Sequence, residues 1–183
     1  MNYNDLIKNW HSKASEEDYF SKFMFEYLAF IAFIKTTLIE ENKNDRHSIQ
    51  WLKRNETYKE KYLNKIKEKQ SLKTCWDRIK KELDVKPLKD TSRNKESLED
   101  IKWWNYSEYE LQKKSKDDNN KTRGTINSIE DWSNMVEFWY SIRNNLFHGT
   151  KNPELKRDKF LVEYGYKTLK ELVNVFLENE NIT

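Results

Sequence analysis

Three glycines and two prolines in 183 residues leave this chain few of the residues from which tight turns are made. Those two residue types supply the unusual backbone dihedrals that turns demand. Sheet-rich folds with many reversals are therefore disfavoured, and an all-α protein is expected. Its length fits a single domain over 1–183, within the usual ~100–200 residues. Hydrophobic residues make up only 36% and charged residues another 36%, yet 14% are aromatic. The core must lean on large rings, each burying ~150–250 Å².

A single cysteine, Cys75, excludes an internal disulfide framework and a cysteine-rich zinc site. It reads as an ordinary buried or half-buried thiol in a reducing compartment. No cofactor or metal is expected. Met1–Asp5 lacks the basic and apolar regions of a secretory signal. The longest apolar stretch, Phe23 to Ile34, carries Glu26 and falls short of the ~20 residues that span a bilayer. The expectation is a cytoplasmic protein with no membrane partner.

The formal charge of +3 is uneven along the chain: residues 1–45 sum to −3, 46–90 to +7, 91–125 to +1 and 126–183 to −2. Segment 46–81, with Lys53, Arg54 and Lys61 among its cations, has the density of a polyanion-binding surface. Lysine-rich helix faces are also common on ordinary proteins.

Apolar spacing predicts four or five helices in an up-down bundle. Ser15 is placed to cap the first, whose residues Phe20 to Leu38 are apolar nearly all round. Such a helix is central to a bundle or lies against a second chain. A long charged helix runs from Arg46 to about Lys69, and a shorter one from Leu72 to Leu83, stopped by Pro87. Periodicity fails over about 86–125, an irregular insertion in which Trp103 and Trp104 serve to pin it to the bundle or to stack on bases. Asn127 and Glu130 suggest a capping box for a helix from Ser128 to His148, with Gly149 as its C-terminal glycine. Asn152 and Pro153 suggest the start of the last helix.

The stripe Ile129, Trp132, Val136, Trp139 continues to Arg143. A guanidinium beside an apolar seam must find an anion, a carboxylate or a phosphate. His148 follows five residues later, roughly 140° around an ideal helix from Arg143 at ~100° per residue. The two share a site only if the helix end unwinds or two copies face one another. The plainer reading pairs Arg143 with a carboxylate and leaves His148 as a helix cap. His11 and His47 have no comparable setting and read as surface residues.

Arg143-Asn144-Asn145-Leu146-Phe147-His148-Gly149, closing one helix just before another, resembles the HEPN superfamily of helical nucleotide-binding bundles. Their signature is an arginine, four to six intervening residues and a histidine, often with a polar residue after the arginine; here the spacing is four and that residue is Asn144. The stretch from Tyr27 to Phe33 resembles the family's aromatic-rich central helix. The likeness covers about 15–85 and 126–178 and says nothing of the insertion.

This resemblance implies a metal-independent endoribonuclease that pairs two protomers around a composite cleft. His148 would be general base or general acid, Arg143 would bind the scissile phosphate, and Asn144 would orient the histidine or donate to the phosphate. Lys151 would add charge nearby, and Lys53, Arg54 and Lys61 would contact RNA. Products would end in a 2′,3′-cyclic phosphate. A role in phage defence or as a toxin, with an antitoxin or other regulatory partner, is the implied setting. One toxin-type variant carries a modified tyrosine two residues after the histidine; here that position is Thr150. The alternative is a non-catalytic module that binds nucleic acid, a nucleotide or a partner protein.

Overall fold

The computed structural model describes residues 3–13, 18–37, 45–88, 124–149 and 151–179. Within them every regular element is a helix: α1 (Tyr3–Lys13), α2 (Tyr19–Thr37), α3 (Asp45–Arg54), α4 (Glu56–Glu68), α5 (Gln70–Val85), α6 (Trp132–Phe147) and α7 (Lys156–Asn179).

The described residues thus hold seven helices where four or five were expected, and the difference has local causes. The predicted helix from Arg46 to Lys69 is broken at Asn55, which sits at φ −81 and ψ 99 and accepts a hydrogen bond from the Tyr58 N–H. That is an N-cap, so α4 starts afresh. Lys69, at φ −106 and ψ 96, divides α4 from α5 in turn. Helix α1 had no cap or long stripe to announce it; Ile7 is buried and Trp10 partly so.

Helix starts also differ from the sequence reading. Asp18 accepts from the backbone N–H groups of Phe20 (2.8 Å) and Ser21 (3.3 Å) and so caps α2, while Ser15 lies outside the described residues. In place of the expected capping box, the Asn127 backbone and amide N–H groups donate to Asp131 at 2.9 and 2.7 Å, and α6 begins only at Trp132. Asn152 accepts from the Glu154 N–H at 2.9 Å, a turn that delays α7 to Lys156 rather than Pro153. The body of the expected insertion, with Trp103 and Trp104, lies outside the described residues. Its flanks meet where the Leu88 N–H donates to the Gly124 carbonyl at 2.9 Å.

Helix α2 packs against both α1 and α7, and α7 also meets α4, α5 and α6. That explains an apolar surface on more than one side of α2: it is a central helix. The rings of Phe33 and Phe176 stack at 4.1 Å across the α2–α7 contact. Polar atoms on Trp76, Tyr62 and Trp139 are satisfied in series. Trp76 Nε1 donates to the Tyr62 hydroxyl (3.0 Å), which donates to the Thr168 carbonyl (2.9 Å), while Trp139 Nε1 donates to Thr168 Oγ1 (3.0 Å). Gly165 allows α7 to approach closely, since a Cβ there would lie 2.9 Å from Ile142 Cδ1 and 3.2 Å from the Phe23 ring. Cys75 is half-buried, and burial pushes its thiol pKa up. No helix among the described residues is long and apolar enough to cross a membrane.

Candidate functional site

Helix α6 buries polar as well as apolar residues, among them Asn134, Glu137, Ser141, Asn144 and Asn145. A carboxylate in such a place needs close partners. Glu137, 1% exposed, has Arg46 at 2.6 Å and Lys53 at 2.7 Å, both from α3. The Arg46 guanidinium also lies over the Tyr140 ring at 5.5 Å.

Two turns further along α6, Arg143 meets the start of α3. Its Nη2 lies 3.1 Å from Asp45 Oδ2, and Asp45 also holds Lys35 at 2.8 Å. Nη1 donates to Asn144 Oδ1 at 3.0 Å. The guanidinium lies 4.3 Å from the Phe147 ring centre and 5.8 Å from that of Tyr27. Its Nε is buried without an acceptor, as is the Tyr27 hydroxyl without a partner. Burial, reinforced by the negative charge of Asp45, keeps the Tyr27 phenol well above its usual range.

The helix ends one residue before His148. This residue is exposed, sits at φ −85 and ψ 8, and donates its backbone N–H to the Asn144 carbonyl at 2.9 Å. Gly149 follows at φ +65, a conformation that favours glycine. Because the His148 N–H still pairs with the carbonyl four residues back, the chain leaves the helical screw only at Gly149, and His148 keeps its offset of roughly 140° from Arg143.

Beyond the turn, Lys151 lies 2.7 Å from Asp158 and its side chain is only 6% exposed. The Asn152 N–H donates to the other Asp158 oxygen at 3.0 Å. Burial acts to raise the Asp158 pKa, but the Lys151 ammonium and this N–H outweigh it and hold the carboxyl below its ordinary value.

Arg143, Asn144 and His148 are thus gathered at one end of α6. The other sequence candidates disperse. Lys53 and Lys151, expected as substrate contacts, are buried on Glu137 and Asp158 and do not count among the exposed cations. Arg54 is exposed at the end of α3. Lys61 is exposed on α4 and donates to Asn179 Oδ1 at the far end of α7. Thr150 lies outside the described residues.

Sequence reasoning missed Asp45 and Tyr27 as neighbours of the arginine, because no periodicity links α2 or α3 to α6; Phe147, one turn beyond Arg143 on α6, was legible from the i, i+4 spacing and was overlooked. Sequence reasoning also misread His11. The Nδ1 of that residue lies 2.7 Å from Oε1 of Glu26, which is wholly buried, with Oε2 lacking any partner. Burial raises the Glu26 pKa despite His11.

Much of the basic segment faces the acidic C-terminal part of the chain. Lys65 pairs with Glu178 at 2.8 Å, Lys69 with Glu171 at 2.7 Å and Lys67 with Glu130 at 3.5 Å. Among the described residues no three His, Cys, Asp or Glu side chains gather as a metal site. No family model, curated protein or solved structure matches the chain.

Proposed function

We propose that the chain is a HEPN-type endoribonuclease acting through Arg143 and His148, without a metal and as a homodimer. The observation that carries this reading is the end of α6, where an exposed histidine caps the helix five residues after an arginine held on Asn144 and Phe147.

A ribose 2′-hydroxyl already supplies the nucleophile, so the protein needs only to move protons and offset charge. The 2′-oxygen bonds to phosphorus as the bond to the 5′-oxygen breaks, leaving a 2′,3′-cyclic phosphate and a 5′-hydroxyl. One imidazole takes the 2′-hydroxyl proton as general base; a second, protonated imidazole gives one to the departing oxygen. Two copies of the chain supply the two His148 side chains. The planar fork of Arg143 suits the phosphoryl oxygens, on which charge builds in the transition state. For this, Arg143 exchanges Asp45 for phosphate. Asn144 acts as a positioning residue that keeps the guanidinium aimed.

The Arg143–Asp45 pair at 3.1 Å favours the second reading, a non-catalytic module binding nucleic acid, a nucleotide or a partner protein, because it already gives the guanidinium an anion. Incubation of mixed RNA with the purified chain in EDTA separates the two. Wild type cuts, and Arg143→Ala and His148→Ala each lower the rate by at least about 100-fold, as loss of an acid–base or charge-stabilising group does. Intact RNA with wild type, or equal cutting by the variants, overturns the nuclease.

A further inference from the structure

We propose that the face of α7 between α5 and the start of α2 binds a single-stranded stretch of nucleic acid, independently of the end of α6. Its centre is Tyr19, a large ring left 37% exposed. Two ammonium groups lie near that ring, Lys22 at 5.1 Å and Lys167 at 5.6 Å from its centre. Tyr19 rests on Tyr166 with centroids 6.0 Å apart, and Lys170 lies 5.8 Å from the Tyr166 ring centre.

From Tyr166 the face continues into an open groove between α5 and α7, lined by Lys69, Lys167 and Lys170 with Ser71, Cys75 and Glu171. Three ammonium groups and a hydroxyl line a channel whose neighbouring ring is exposed. Lysines along a groove hold phosphates, and a tyrosine face accepts any base. Three carboxylates temper the charge: Glu163 pairs with Lys167 at 2.5 Å, Glu171 with Lys69 at 2.7 Å, and the buried Glu26 acts on Lys170 and Tyr166. Lys22 and Lys170 also lie over tyrosine rings. A duplex cannot offer its base faces, so the pairing of exposed ring and cationic groove selects a single strand over a duplex or an acidic peptide.

The test is fluorescence anisotropy with labelled deoxythymidine of about 20 nucleotides, long enough to cover the face. This probe lacks the 2′-hydroxyl and reports binding without cleavage. At about 100 mM salt, Lys167→Gln/Lys170→Gln is expected to bind at least about tenfold more weakly, with a log–log salt slope shallower by about 1.4. Tyr19→Ser weakens binding about fivefold or more, whereas Tyr19→Trp keeps it. Circular dichroism checks that each variant folds.

Unchanged affinity and slope in the double variant overturn the proposal. So do equal binding of a duplex of the same length, or displacement by polyglutamate as effective as by unlabelled strand. A chain that binds this probe but cuts no RNA keeps the present inference and loses the nuclease; one that cuts RNA while the variants bind normally does the reverse.

Discussion

Arg143 has a half-buried carboxylate, an amide oxygen and an aromatic ring as neighbours, and its two candidate roles make different demands on the side chain. An ion pair with Asp45 needs only a cation. A phosphoryl group in flight needs the planar fork, which lysine lacks. Arg143→Lys is therefore expected to keep its unfolding free energy within about 1 kcal/mol of wild type, as near-surface substitutions that preserve charge do. Its RNA cleavage should fall at least about tenfold. Denaturant midpoints and cleavage rates check the pair, and a variant that cuts normally reduces Arg143 to a structural cation. The sequence placed this arginine beside an apolar seam and required an anion for it, which was legible from the three-four spacing alone. The identity of that anion was not legible, because Asp45 and Arg143 sit on helices whose packing no local pattern encodes. His11 was misread for the same reason: its setting is made by Glu26 on another helix.

Helices were easier to foresee than their ends. The apolar periods of α2, α5, α6 and α7 survive folding. The break at Asn55 was hidden because the charged stripe continues across it; a single side chain accepting one N–H outweighs helical continuation. The turn between α6 and α7 behaves likewise. Asp158 stitches it, accepting from Lys151 and from the Asn152 backbone, and so fixes the path just after His148. Asp158→Asn leaves a mostly buried ammonium without its counter-charge, at an expected loss of about 3 kcal/mol at neutral pH. A carboxyl whose pKa is depressed by folding contributes stability that is fully present above its unfolded value. That stability is lost as pH falls through the folded one. The gap between wild type and Asp158→Asn should thus hold above the ordinary value of 3.8 and close as pH drops below it, measured by urea unfolding. A gap that widens on acidification contradicts the assignment.

For the whole molecule, the +7 stretch of sequence is in part internal complementarity. Cations of α3 and α4, and Lys69 between α4 and α5, meet carboxylates of α6 and α7, with Glu130 of the turn before α6. Such pairs are worth little each where exposed, but they lower the positive field that segment was expected to present. The apolar α2, one motive for expecting a dimer, is occupied by α1 and α7. In the proposed dimer the second copy would seat elsewhere, and Phe147 and Leu155, 60% and 55% exposed on either side of the α6–α7 turn, are large apolar groups flanking His148. Light scattering should give about twice 22.4 kDa for wild type, and Leu155→Asp should yield monomers that no longer cut RNA. A wild-type monomer, or a monomeric variant that still cuts, removes the composite site.

The central claim is attack by the 2′-hydroxyl with acid–base help from His148. Its most direct measurement is the chemistry of the ends produced when the chain cuts RNA in EDTA, with a parallel substrate carrying a single 2′-deoxynucleotide at the cut site. A 2′,3′-cyclic phosphate and a 5′-hydroxyl are expected from the first, and no cut at the modified position. A 5′-phosphate product, or cleavage that proceeds past the missing hydroxyl, would contradict it.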